Sequence, residues 1–290
     1  MPATVVTQSA AVPTGALRGW VQRRPVIAFV VLAYALSWLT WLPALLGFGG
    51  QVAVVVGGLG PLVAAVVVTR YLGGSVRAWA RSITRWRAPV RYYVYALGLP
   101  PLLYGVIDIL LVLLGYDVDP SLLAERAPAY LVTLGFVAVL GGGLEEPGWR
   151  GFALPGLERR YTPVVATLIL GLAWGVWHVP LYGPLGFVVP LVLAFFYTWL
   201  YNRTGSVLLC ILLHASFTPA QDHLVLLRDD VVDAAQLGAV DFVIFGTYVA
   251  AVLLLIGMTR GRLGRRPVPQ VSKTAEALEP TRASTTGGLR

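Results

Sequence analysis

The chain has 290 residues, 57% apolar and only 12% charged, with a net charge of +8. A soluble domain carries roughly 25% charged residues, so these numbers exclude one or two soluble globular domains, a disordered chain and, with a single cysteine (Cys210), a disulfide scaffold. The positive charge lies between hydrophobic runs, so a bilayer explains it better than a nucleic-acid partner.

A bilayer-spanning helix needs about 20 mostly apolar residues. In chain order, a basic N-terminal tail (1–24), unstructured over 1–17, precedes eight candidate spans. These are Val26–Leu46, Val52–Val68, Tyr93–Leu114, Tyr130–Leu144, Thr162–Tyr182, Phe187–Tyr201, Val207–Pro219 and Phe242–Met258. The fourth, sixth and seventh are short. The first follows a basic tail as a signal peptide would, but its apolar core exceeds the 7–15 residues of a signal h-region, so it reads as a retained span. The spans form one bundle over 25–258, and the polar tail 259–290 reads as disordered.

Positive residues collect on the cytoplasmic side of a membrane. Of the 22 basic residues, 20 fall in the N-terminal tail, the loops after spans two, four and six, and the C-terminal tail. The alternate loops hold only Arg126 and Arg228, together with eight acids: Asp117, Asp119, Glu125, Asp222, Asp229, Asp230, Asp233 and Asp241. Eight spans with both termini cytoplasmic satisfy this pattern, and the expected location is a cell membrane.

A charged side chain at membrane depth costs about 2.5–3.5 kcal/mol on the insertion scale, so such residues are functional by default. Glu145 and Glu146 follow the Gly141-Gly142-Gly143 run. On a continuing helix Glu146 and Arg150 are i, i+4 neighbours and pair, which leaves Glu145 for other work. His178 lies in the apolar run Trp174-Gly175-Val176-Trp177-His178, where Gly171 and Gly175 admit a close helix neighbour. His214 lies deep in span seven, with Thr218 one turn later on the same face. Asp108 in span three has no assigned partner, and His223 reads as a solvated outer-loop residue. The bland readings are a charged helix end for the Glu pair, an aromatic belt for Trp174, Trp177 and Tyr182, and a back-bond to its own helix for Thr218.

Two chemistries fit Glu145, His178 and His214. Glu145 could act as general base on a water held by His178, with His214 stabilising an oxyanion. Alternatively, Glu145, His178 and His214 could hold a catalytic zinc with an open position. The sequence contains no H-E-x-x-H, no G-x-S-x-G elbow and no P-loop.

The pattern Glu145-Glu146-x-x-x-Arg150 resembles the first motif of the CPBP intramembrane endopeptidases, which include the type II CAAX prenyl proteases and the bacterial ABI group. Trp174-x-x-x-His178 resembles their second motif, F-x-x-x-H, with Trp for Phe. His214-x-x-x-Thr218 resembles the third, H-x-x-x-N, with Thr for Asn. The resemblance covers about 130–220. It implies an all-α polytopic bundle with a polar intramembrane cavity in which a peptide bond is cleaved near a chain end. By that mapping Glu145 activates the water with help from His178, and His214 stabilises the oxyanion beside Thr218. Glu146 and Arg150 orient the first two, and Trp174 takes the second motif's aromatic position. The family was first described as metalloproteases, with a metal-free glutamate mechanism as the competing view. The implied partners are the bilayer and a polypeptide substrate that can be lipid-modified; its identity and the oligomeric state stay open.

Helix rise sets a geometric condition. At 1.5 Å per residue His178 lies about 24 Å from the inner face, and Glu145 about 25 Å from the outer face, of a roughly 30 Å core. A shared site therefore requires the fourth span to run on past Glu145 to about Leu157 as a long broken helix, with Pro147 and Pro155 as breaks. Two other readings remain at this point. One is a non-catalytic member of the fold, acting in bacteriocin immunity or as a membrane-protein binder, favoured by Thr218. The other is a transporter, which needs Asp108 in the cavity.

Overall fold

The computed structural model describes residues 14–48, 50–228 and 234–265, and these are helical with no strand. The helices are α1 (Thr14–Arg23), α2 (Pro25–Leu45), α3 (Gln51–Gly58), α4 (Gly60–Tyr71), α5 (Val76–Ala80), α6 (Val90–Leu113) and α7 (Ser121–Val139). They continue with α8 (Glu146–Gly148), α9 (Leu154–Glu158), α10 (Pro163–Tyr182), α11 (Val188–Thr204), α12 (Val207–His223) and α13 (Ala234–Thr259). Six runs are long and apolar enough to cross a membrane: Pro25–Leu45, Gln51–Tyr71, Val90–Leu113, Ser121–Glu158, Pro163–Tyr182 and Gly238–Thr259. The chain is a polytopic helical bundle.

These six correspond to the expected spans one to five and eight. The expected spans six and seven are α11 and α12, 17 residues each, or about 25 Å long. Their shortfall in apolar character has a packing cause. Both are buried on nearly every face, α11 through Leu193, Phe196, Tyr197 and Thr198, α12 through Cys210, Leu213, His214, Ser216 and Phe217. A helix surrounded by protein need not match lipid and can carry polar side chains. The peripheral helices instead turn Leu39, Leu102, Ile109, Val132 and Leu254 outward, where hydrocarbon is the natural neighbour.

Several boundaries differ from the sequence reading. Helix α1 begins at Thr14, so residues 14–17 are helical; residues 1–13 and 266–290, where the tails were expected to be unstructured, lie outside the described residues. Helix α12 continues through Pro219 to His223, and span two divides at Leu59 into α3 and α4. The division lets α4 lie close on α2: a Cβ at Gly60 would collide with the Ser37 hydroxyl, and Ala33, Ala64 and Ala65 are fully buried. Small residues at such a contact let backbones approach without a hydrophobic driving force.

The fourth span is the long broken helix that the shared site requires. Helix α7 stops at Val139, and a 3₁₀ turn (Gly142–Glu145) leads into the single turn α8. A π turn (Trp149–Ala153) follows, then α9. Pro147 and Pro155 each stand in the first turn of a short helix, where no backbone donor is needed. The glycines carry an additional break ahead of them, at 141–143. A Cβ at Gly143 would sit 2.7 Å from the Val137 carbonyl oxygen and 2.9 Å from Ile211 Cγ2. Only glycine allows the turn to nest between α7 and α12.

Candidate active site

Glu146 is fully buried at the start of α8. Its Oε1 accepts from Arg150 Nη1 at 3.0 Å and from His214 Nδ1 at 2.9 Å. The expected i, i+4 pair is therefore formed, and it ties the fourth span to α12. The Arg150 guanidinium lies between two rings, 4.0 Å from the centroid of Trp174 and 4.2 Å from that of Tyr197. The two rings stand nearly perpendicular, 74° apart, and a planar cation against both gains quadrupole attraction where water is excluded.

Glu145 is held separately. Its Oε2 accepts from the Trp174 indole N–H at 2.8 Å. One turn on, the Trp174 carbonyl lies 2.8 Å from His178 Nδ1. A carbonyl only accepts, so Nδ1 of His178 carries the proton and Nε2 is left as the acceptor. In the same way, His214 spends Nδ1–H on Glu146 and presents Nε2 elsewhere. That atom and Glu145 Oε1 face one small space above Gly142. A Cβ added there would overlap His214 Nε2 and lie 3.2 Å from Glu145 Oε1.

This space is the floor of a cavity of about 620 Å³ lined by Glu145, Trp174, His178, His214 and Thr218, among others. The depth condition is thereby met. Trp174 stands eight residues, about 12 Å, below the outer end of α10, and His214 nine residues below the end of α12. Both positions are near the middle of a roughly 30 Å core. The first turns of α7, with Glu125 and Arg126, stand above it: Arg126 donates to the carbonyls of Val225 and Leu227 in the outer loop.

All seven residues singled out in the sequence thus meet at one place. Thr218 lines the cavity but donates to the His214 carbonyl of its own helix at 3.4 Å. Asp108 does not line it; this carboxylate accepts from the Leu226 backbone N–H at 3.0 Å and braces the outer loop. The transporter reading loses the feature it needed. His223 is not a solvated loop residue: it closes α12, half-buried, with Nε2 3.4 Å from the Thr133 hydroxyl. Sequence reasoning missed Gly142, although the glycine run was visible, and Tyr197, which nothing in its apolar segment marked. As for a metal, among the described residues no three His, Cys, Asp or Glu side chains converge closely enough to hold one.

The glycines make a paired prediction. A Cβ at Gly148 would lie 2.5 Å from the Pro61 carbonyl oxygen and 2.6 Å from its carbonyl carbon, backbone atoms that cannot rotate away. Gly148→Ala is expected to lower stability by about 1–3 kcal/mol, the usual overpacking cost, read as a fall in Tm in detergent. Gly142→Ala meets side-chain ends rather than backbone, the His214 imidazole and the Glu145 carboxylate, and is expected to lower Tm less than Gly148→Ala while displacing His214 and suppressing turnover.

Comparison with known proteins bears on the same stretch. Residues 127–218 match the family described as type II CAAX prenyl endopeptidase, Rce1-like. This segment is thus similar to the Rce1-like family over about a third of the chain. It holds all three motifs, from the Glu pair to Thr218. A CAAX prenyl protease 2 from Methanococcus maripaludis is 31% identical over 113 residues, covering 32% of this chain and 41% of that protein. The chain therefore matches less than half the length of that relative. α1 to α6 and α13 lie outside the family match.

Proposed function

We propose that this chain is an intramembrane endopeptidase that hydrolyses a peptide bond of a membrane-associated polypeptide. It would sit in the cell membrane with both termini cytoplasmic. The observation that carries the reading is the shared space above Gly142, where a buried carboxylate oxygen and an imidazole nitrogen meet at the floor of a cavity. The Rce1-like match and the likeness to a CAAX prenyl protease 2 support the same class of reaction.

In the proposed mechanism a water at the cavity floor lies between Glu145 and the unprotonated Nε2 of His178. Glu145 Oε1 takes a proton from the water as its oxygen attacks the carbonyl carbon of the substrate. The carbonyl oxygen becomes an oxyanion. His214, held through Nδ1 by the buried Glu146 carboxylate, faces it with Nε2 and stabilises it. The C–N bond then breaks as Glu145 returns its proton to the leaving nitrogen. Trp174 fixes the rotation of the Glu145 carboxylate, and Arg150 holds the Glu146 carboxylate in place. No step is assigned to a metal.

The test is cleavage of a quenched peptide library by detergent-purified protein, with wild type and Glu145→Ala compared with and without a chelator. Cleavage lost in the variant and unaffected by chelator is expected. Cleavage that survives Glu145→Ala would sink the assignment, and cleavage abolished by chelator would move Glu145, His178 and His214 to a zinc site.

One observation favours the second reading, a non-catalytic binder or immunity protein of the same fold. The Thr218 hydroxyl spends its single proton on its own helix, whereas an asparagine there would offer two donors. One oxyanion donor is worth on the order of 10²–10³ in rate. Thr218→Asn is expected to raise turnover by up to that factor, with KM little changed. A silent wild type that stays silent as Thr218→Asn supports the binder.

A further inference from the structure

The cavity is built from one half of the bundle. It is lined by the first residues of α3 (Gln51, Val54), the last of α10 (Leu181, Tyr182), the first turns of α11 and the last turns of α12 (Gln221, Asp222). Burial grades along it. Glu145, Trp174, Tyr197 and His214 at the floor are at most 9% exposed, whereas Tyr182 is 63% exposed and Gln51, Gln221 and Asp222 are exposed too. Beneath the floor, Glu146, Trp149 and Arg150 are fully buried. The opposite end is closed by the arginine-rich loop around α5: Val207 N–H donates to the Ser82 carbonyl at 3.0 Å and Ser206 donates to the Arg85 carbonyl. The mouth thus faces away from the side that holds the basic end of α4 and the loops after α4 and α9, with Arg70, Arg77, Arg81, Arg85, Arg159 and Arg160.

The mouth also has a sign. No arginine or lysine is among its lining residues, and the acids there are Glu145 at the floor and Asp222 at the rim. The two arginines of the outer loops are engaged close by, Arg126 on loop carbonyls and Arg228 on Asp119. The charged or titratable neighbour next to Asp222 in the chain is His223, turned to Thr133. Asp222 stands eight residues after His214 on α12, about 12 Å along the axis. An extended chain covers that distance in three or four residues.

We propose that the cavity admits its substrate from the non-cytoplasmic face, and that Asp222 selects a polypeptide carrying a lysine or arginine three or four residues from the bond to be cut. The first half rests on the asymmetry of charge in the loops; the second rests on the endopeptidase reading. Complementary charge at a rim acts mainly on selection and on-rate.

Accessibility tests the first half without any chemistry. The single native cysteine, Cys210, is buried, so wild type gives the background. Gln51→Cys and Tyr182→Cys, expressed in cells, are expected to react with a membrane-impermeant maleimide on intact cells, and Ser75→Cys only after permeabilisation. Mouth cysteines that need permeabilisation, or that never react, overturn it. For the second half, peptides with Lys or Glu at the third or fourth residue from the scissile bond are compared. A severalfold higher kcat/KM for the Lys peptide is expected in wild type, reversed in Asp222→Arg. Anisotropy of the same peptides, dye-labelled, on Glu145→Gln reads the preference without cleavage, so failure of the protease reading is distinguished from failure of selection. Equal affinity for Lys and Glu peptides, or a preference that Asp222→Arg leaves in place, overturns the second half.

Discussion

Arg150→Met is expected to destabilise the bundle by about 3–5 kcal/mol, the cost of removing one partner from a buried ion pair. Methionine keeps the length and bulk of the side chain but leaves the Glu146 carboxylate fully buried, with only the His214 imidazole beside it. It also removes the cation from between Trp174 and Tyr197, where each face contributes roughly 0.5–2 kcal/mol. At about 2–4 °C per kcal/mol for a chain of this size class, Tm in detergent should fall by about 10 °C. Arg150→Lys should recover little, because an ammonium lacks the planar guanidinium that lies against both rings. The double variant Glu146→Gln/Arg150→Met should recover more than half of the loss. The pair is costly to break rather than strongly stabilising in itself: Glu146 Oε2 and Arg150 Nε and Nη2 have no hydrogen-bond partner among the described residues. A Tm unchanged in Arg150→Met would show that the cluster does not hold the core together.

What the sequence made legible followed from where each helix lies. Peripheral helices such as α6 and α13 must satisfy lipid, so their apolar runs are long and plain. Central helices such as α12 satisfy protein, and hydropathy underrates them. The ion pair of Glu146 and Arg150 was visible because i, i+4 spacing is a property of one helix. The link from Glu145 through the Trp174 indole to His178 was not, because it joins two helices whose relative depth depends on the turn at 140–145. Fifteen apolar residues before the Glu pair did signal that span four was too short to end there. The same count could not say that the helix would break at the glycines. For Thr218 the spacing gave its face of the helix, while the direction of its hydroxyl is a contest between cavity and backbone that only coordinates decide.

Glu145→Gln is the sharpest test of the chemistry, and its expected effect is a fall in kcat of about 10²–10⁴, the contribution of a positioned general base. Glutamine is isosteric, and its amide oxygen can still accept from the Trp174 indole, so the contact measured here at 2.8 Å need not be lost. No ion pair is broken, because the partners of Arg150 and His214 are on Glu146. Tm and KM should therefore stay near wild type while turnover collapses. Glu146→Gln offers the contrast: it removes the acceptor shared by Arg150 and His214 and should lower Tm and turnover together. If Glu145→Gln lowers Tm as much as Glu146→Gln does, Glu145 is part of the scaffold. If it keeps both Tm and turnover, the base lies elsewhere, and the space above Gly142 would have to be read as a binding pocket in which His214 and Trp174 hold a ligand.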